Sequence, residues 1–421
     1  MPGKVLIITY YWPPSGGAGV QRWLKFAKYL PSSGWLPVVL TVKPEYAAYP
    51  FKDTSLYGDI PLDVEVYRTK AINYFSLYSK DPSKLPSSGF ASGTRKGMRE
   101  SISRFIRGNF FIPDPRRGWN KYAFRKACSL IREENINHVV TTSPPHSTQL
   151  IGLKLKRRFP GIKWIADLRD PWTDIYYYEM FYPSAISKYI DRQYEKAVLK
   201  KADIVTTVGY TLGKQFDAKI EGIEDKIRII HNGYDDSDFQ NIQVNVPERF
   251  TISFTGTISE LYPMGGFIEA VKSLLLKGYD LLIKFTGAVS EPQKQQMVAD
   301  LGKDHLEFIP YIDHMSVIKQ MTSSSLLLLV IASHRDNKSF LSGKLFEYIA
   351  SGRPVLCLGP VDGDAAKMIE HHNFGRCYDY DDTVNIENYI ISQITDPSFT
   401  RRALPVEYTR RHLAEQIARL F

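Results

Sequence analysis

The chain opens with a strand, a glycine-rich loop and a helix in immediate succession, and no other feature limits its fold as strongly. Residues 5–10 are a nearly unbroken apolar run containing Val5, Ile7 and Ile8, the pattern of a strand buried on both faces of a parallel sheet. Residues 13–19 read Pro-Pro-Ser-Gly-Gly-Ala-Gly. Val20, Leu24, Ala27 and Leu30 then recur at helical spacing until Gly34 stops the helix, and residues 38–42 form a second strand. Strand, loop, helix, strand is the start of a doubly wound α/β sheet.

The alternation resumes twice. Strands are expected at 138–142, 163–167 and 203–208, with helices at 147–158 and 184–200. A second series places strands at 250–254, 281–285, 306–309, 325–331 and 354–358, with helices at 266–277, 291–301, 315–322, 343–351 and 363–372. With 421 residues, two such domains are the natural reading. The expected division is 1–240 for a first Rossmann-like domain and 241–403 for a second, with 238–249 as linker. The amphipathic segment 404–421, carrying Leu413, Ile417, Leu420 and Phe421, is expected to pack back on the first.

Composition narrows the setting. The three cysteines have no CxxC spacing, which excludes a disulfide scaffold or zinc ribbon and suits a reducing compartment. The longest apolar run, 325–332, is strand-sized, and no leader pattern precedes the first strand. A soluble cytoplasmic protein is expected. The net charge of +9 conceals an asymmetry: residues 1–205 hold 32 Lys and Arg against 17 Asp and Glu, while 206–421 hold 22 against 28. The two halves meet different partners.

Two loops carry anion-binding character. Gly16, Gly17 and Gly19 lie between a strand and a helix, where backbone N–H groups can hold an anion, although the GxGxxG spacing is absent because Arg22 replaces the third glycine. Gly17 and Gly19 are candidate ligand contacts; a tight connection explains the same glycines. The second loop enters Ser342-Gly343-Lys344-Leu345-Phe346-Glu347-Tyr348. Ser342 and Gly343 open a helix whose free N–H groups suit a diphosphate, and Lys344 adds a point charge. Glu347, a turn later, is placed to accept hydrogen bonds from ribose hydroxyls, whereas an isolated Lys-Glu pair at this spacing is usually a surface ion pair.

This segment resembles the donor-site motif of retaining glycosyltransferases of family four, which have the GT-B fold: two facing Rossmann-like domains with parallel sheets and a cleft between them. The likeness extends over nearly the whole chain, through the N-terminal glycine loop, Ala202-Asp203-Ile204-Val205, His231-Asn232-Gly233-Tyr234 and Phe254-Thr255-Gly256-Thr257. It implies transfer of a sugar from a UDP- or GDP-sugar held by the second domain to a glycan or polyprenyl-diphosphate-linked acceptor on the first. It adds Gly256 and Thr257 to the donor contacts, names Lys344 as the charge on the leaving diphosphate, and requires neither cofactor nor metal. Two positions depart from the family pattern: Ser339 stands where a paired glutamate precedes Glu347 by eight positions, and Thr257 where an arginine is common. The Lys-Leu-Phe-Glu-Tyr form marks a subgroup. The alternatives are a silent sugar-nucleotide-binding subunit or an epimerase of the same fold.

Further candidates lie in the first half. The strand at 163–167 runs into Asp167-Leu168-Arg169-Asp170-Pro171. Asp167 and Asp170 are expected as catalytic carboxylates, with Arg169 and His146 on the acceptor; a capped turn with an internally paired arginine accounts for the same residues. Residues 91–130 form a basic stretch including Arg95, Lys96, Arg99 and Arg104, with Ile102, Phe105 and Ile106 at helical spacing. Such a helix suits an anionic membrane surface at roughly 1 kcal/mol per cation near the surface, so peripheral attachment to the inner face of the cell membrane is expected. Nucleic acid is not, since no recognition module is visible. Asp236-Ser237-Asp238 has DxD form but is read as structural, with no metal.

Overall fold

The computed structural model describes residues 2–50, 52–74, 98–240, 242, 245, 247–395 and 404–421. They form two compact units, Met1–Asn232 with Arg410–Phe421, and Gly233–Thr409. The stretch expected as linker therefore falls inside the second unit. Tyr234 explains this: its buried ring packs on Phe239 with centroids 5.9 Å apart, and its N–H donates to Tyr408 O at 2.9 Å.

The first unit is built on β1 (Gly3–Ile8), β2 (Trp35–Val42), β3 (Glu65–Thr69), β4 (His138–Ser143), β5 (Lys163–Leu168), β6 (Ile204–Thr207) and β7 (Ile227–Ile229). All pair in parallel in the order β3-β2-β1-β4-β5-β6-β7, so the order reverses beside β1, the switch point at which such sheets bind ligands. Among the described residues, the strands are joined by α1 (Ala18–Tyr29), α2 (Met98–Phe110), α3 (Asn120–Glu133), α4 (Gln149–Arg158), α5 (Ala185–Lys201) and α6 (Tyr210–Asp217). Parallel strands need these crossovers, and the crossovers cover the sheet on both faces. Accordingly Leu6, Ile8 and Trp164 are buried in one apolar layer and Val5, Ile7 and Ile165 in the other.

The second unit repeats the plan with β8 (Phe250–Thr255), β9 (Leu281–Thr286), β10 (Leu306–Ile309), β11 (Leu326–Val330), β12 (Val355–Leu358) and β13 (Gly375–Tyr378), in the order β10-β9-β8-β11-β12-β13 and again all parallel. Its helices are α7 (Gly265–Leu276), α8 (Glu291–Leu301), α9 (His314–Thr322), α10 (Gly343–Ser351), α11 (Asp364–His371) and α12 (Thr383–Thr395). The α/β class with two parallel sheets is thus as expected.

The last helix, α13 (Arg410–Ala418), belongs to the first unit. Leu413, Ala414 and Ile417 are buried with Val20, Leu24 and Ala27 of α1. Among the described residues, no helix is long and apolar enough to cross a membrane.

Candidate functional site

In the second unit, α10 starts at the residue expected. Ser342 is its N-cap, with Oγ accepting from Lys344 N at 3.1 Å. Nothing lies within 4 Å of the point where a Cβ at Gly343 would stand; of the first-turn N–H groups, those of Lys344 and Leu345 already donate to Ser342, each at 3.1 Å. Gly352, left-handed at φ 72°, ends the helix.

Lys344 lies in this first turn. Its Nζ sits over the Phe254 ring, 4.4 Å from the centroid. A Cβ added at Gly256 would stand 2.5 Å from Nζ, so only glycine at 256 leaves the ammonium its place. Gly256 itself has φ 118°, a conformation that a side chain disfavours. Among the described residues, the ammonium makes no hydrogen bond or ion pair. Burial pulls its pKa down to about 8, with Glu347 opposing. A desolvated cation of this kind gains most from an arriving anion.

Glu347 follows on the same helix, 21% exposed in its side chain, with Oε1 4.0 Å from His314 Nε2. The same nitrogen is 3.4 Å from Asp238 Oδ2. The sequence reading missed His314. Its signal was positional, since it opens α9 just after the loop leaving the carboxyl end of β10. Thr257 follows Gly256 in the loop after β8 and is half-buried. Asp236-Ser237-Asp238 forms a 3-10 turn capped by Asp235, whose Oδ1 accepts from Ser237 Oγ at 2.9 Å. No group of three or more His, Cys, Asp or Glu side chains among the described residues is placed to hold a metal ion.

In the first unit, Gly17 precedes α1 at φ 98°, and Gly19 lies in its first turn. A Cβ at Gly19 would be 3.4 Å from Arg169 Nη2 and 3.9 Å from the Tyr11 ring. Glycine loop, Arg169 and Tyr11 thus share one surface at the carboxyl ends of β1 and β5. Arg169 is anchored by Nε, which donates to Ser143 O at 3.1 Å. Asp170, half-buried, has its pKa raised by burial, with Arg169 opposing; that environment suits proton transfer. His146 stacks on Trp172, centroids 5.0 Å apart and planes 12° apart. Burial pulls it down to about 3, so it is neutral.

Asp167 does not have the catalytic placement expected of it. It is fully buried, and both oxygens are occupied. Oδ1 accepts from Arg22 Nη2 at 3.0 Å and Thr206 Oγ1 at 2.8 Å. Oδ2 accepts from Trp23 Nε1 at 2.7 Å and Thr142 Oγ1 at 2.8 Å. Arg22 continues the network, donating from Nη1 to Ile230 O at 2.9 Å and His231 O at 2.7 Å. The residue that breaks the glycine pattern is therefore a structural clamp, joining α1 to β5 and to the chain after β7.

On α2, Ile102 and Phe105 are exposed, as is Phe110 at the helix end, while Arg104 is half-buried. Arg95 and Lys96 lie outside the described residues, as does the side chain of Arg99. The structure adds what the sequence did not show: Tyr182, Ile186 and Tyr189 are also exposed. Asn109 of α2 joins the two groups, donating to Tyr182 O at 3.0 Å and accepting from Ser184 N at 2.8 Å.

No protein-family model matches the sequence, and no curated protein matches it. Solved structures do match. HepE from Anabaena, solved in complex with UDP, is 14% identical over 99% of this chain and 94% of its own, with a TM-score of 0.58. The fold is GT-B. The lipopolysaccharide outer core galactosyltransferase WaaB matches at 12% identity over 99% of both chains, TM-score 0.60. A protein from Listeria monocytogenes described as a UDP-N-acetylglucosamine 2-epimerase matches at 12% identity over 99% of this chain and 95% of its own, TM-score 0.56. At such identities the shared property is the architecture, which serves more than one chemistry.

Proposed function

We propose that this chain is a retaining glycosyltransferase that moves a sugar from a UDP- or GDP-sugar to a glycan or lipid-linked acceptor in the assembly of a surface polysaccharide. One observation carries the reading: the buried ammonium of Lys344, which makes no hydrogen bond or ion pair among the described residues, lies beside Gly256 in the first turn of a helix that bears Glu347 one turn on. A diphosphate supplies the missing negative charge, accepts from the free N–H groups, and leaves Glu347 for the ribose. Stabilising the leaving diphosphate lowers the barrier to breaking the glycosidic bond. The solved relatives named above as a UDP complex and a galactosyltransferase are consistent with it.

The first unit holds the acceptor in this reading, with Arg169 as an anchor and Asp170 as the group that handles the acceptor proton. Ile102, Phe105, Tyr182 and Ile186 rest on an anionic membrane, which places a lipid-linked acceptor within reach. The reaction needs no divalent metal, because Lys344 and the helix start neutralise the leaving group.

The test is release of nucleoside diphosphate from a panel of UDP- and GDP-sugars, with membrane lipid extract as acceptor source. Activity is expected in the wild type and absent from Lys344→Ala and Glu347→Ala. Unchanged turnover in both variants overturns the assignment. A sugar-nucleotide product with inverted ring stereochemistry, without diphosphate release, identifies an epimerase instead.

A further inference from the structure

Lys344 and Glu347 stand three positions apart on α10, the spacing at which a lysine and a glutamate ordinarily pair. In this protein they do not pair. Among the described residues the ammonium makes no ion pair, and the Glu347 carboxylate reaches toward another helix. Its Oε1 lies 4.0 Å from Nε2 of His314 on α9. The same nitrogen is 3.4 Å from Oδ2 of Asp238, in the 3-10 turn Asp236–Phe239. An N–H on Nε2 therefore faces two carboxylates that come from two separate elements.

The start of α9 fixes where this imidazole stands. Asp313 is the N-cap, its oxygens accepting from Ser316 N at 3.0 Å and Ser316 Oγ at 2.6 Å. His314 is the first helical residue, and its side chain is 52% exposed. Core packing thus does not select an imidazole at this position. The two carboxylates it meets are more enclosed, each with a side chain 21% exposed.

A glutamate loses side-chain entropy when it is fixed on a ligand. A carboxylate already held when the nucleotide arrives avoids much of that cost. Its direction matters as much. Glu347 paired with Lys344 would neutralise the charge offered to a diphosphate and would itself be lost to the ribose.

We propose that His314 is a positioning residue for nucleotide binding. It keeps the Glu347 carboxylate available to the vicinal hydroxyls of a nucleoside's ribose and out of an ion pair with Lys344, while Asp238 orients the imidazole. The inference rests on the reading of the second unit as a nucleotide site, and it makes His314 a determinant of selection for ribose over deoxyribose.

Calorimetry on the full chain measures binding of UDP and GDP, and of their dideoxyribose forms, which keep the diphosphate and lack both ribose hydroxyls. His314→Ala is expected to weaken the ribonucleotides about threefold to tenfold and to leave the dideoxy forms unchanged. His314→Gln, whose amide N–H replaces the one on Nε2, is expected to recover part of the loss. In a Glu347→Ala background, His314→Ala is expected to have no further effect, because the carboxylate it positions is gone.

An equal loss for ribose and dideoxyribose forms overturns the proposal. So does a loss undiminished in the Glu347→Ala background, or ribonucleotide binding unchanged in His314→Ala. Each of these leaves the nucleotide site standing where Lys344→Ala still weakens binding. A wild-type protein that binds neither UDP nor GDP overturns the nucleotide reading itself, and this proposal with it.

Discussion

Arg22 Nη2 meets Asp167 Oδ1 at 3.0 Å, with the two side chains 1% and 0% exposed. A buried pair of this kind is strongly destabilising when one partner is removed, because the other charge stays behind. Asp167→Ala is expected to cost about 3–5 kcal/mol in chemical denaturation. A catalytic role would instead abolish activity with stability unchanged, and that outcome would return Asp167 to the site.

Lys344 predicts a pH dependence of nucleotide binding. With its free pKa pulled down to about 8, the ammonium is charged below that value and loses its proton above it. A bound diphosphate favours the charged form, so affinity for UDP or GDP is expected to be flat below about pH 8 and to fall above it, by up to about tenfold per unit. Calorimetric titration from pH 7 to 9.5 reads this directly. A profile that stays flat through this range rejects Lys344 as the diphosphate ligand.

Gly256→Ala tests the same place from the backbone. The added methyl meets Lys344 Nζ, and φ 118° strains the new residue. Nucleotide affinity is expected to fall, though less than in Lys344→Ala because the displaced ammonium keeps its charge, with a loss of stability of about 1 kcal/mol or more. Wild-type affinity in this variant would show that the ammonium is not held where Gly256 leaves room for it.

Asp191 offers a test of stability in the first unit. It is buried, accepts from Trp172 Nε1 at 2.8 Å and Tyr178 Oη at 3.1 Å, and burial pushes its pKa up to about 7. The folded state thus binds a proton that the unfolded chain releases near its ordinary value of 3.8. Stability is therefore highest in acid and declines as pH rises toward 7, on the order of 1 kcal/mol per pH unit. Asp191→Asn should raise the Tm at pH 8 and flatten its pH dependence between 5 and 8. A Tm lowered by this substitution at pH 8 contradicts the account.

Membrane attachment is tested by flotation with vesicles containing an anionic phospholipid. Ile102→Ser/Phe105→Ser and Tyr182→Ser/Ile186→Ser are each expected to weaken binding by about tenfold or more, from the apolar area withheld from the bilayer. Equal flotation of both variants and the wild type removes the apolar patch from the mechanism.

The interior strands were legible because a strand flanked on both sides and covered on both faces must be continuously apolar. Leu326–Val330, with five buried residues in a row, is the clearest instance. The three strands that the sequence reading missed, β3, β7 and β13, all lie at sheet edges. Their sequences, EVYRT, IRI and GRCY, each carry a charge and leave some residues exposed. An edge lacks one neighbour and tolerates this. The second-unit site was legible for a related reason: Ser342, Gly343, Lys344 and Glu347 share one helix, so helical geometry alone brings them together. Asp167 was misread because its role depends on Arg22 and Trp23, 145 and 144 residues away, and on its burial, neither of which local pattern reveals.

The placement of α13 has a consequence for biosynthesis. The face of α1 carrying Val20, Leu24 and Ala27 is covered by Leu413, Ala414 and Ile417, nearly four hundred residues later in the chain. During translation every residue of the second unit leaves the ribosome before this cover exists, so the second unit can finish folding while the first still exposes an apolar stripe. The part of the molecule made first is the last to be completed, and a nascent chain halted before residue 410 would be a substrate for chaperones rather than a smaller working protein.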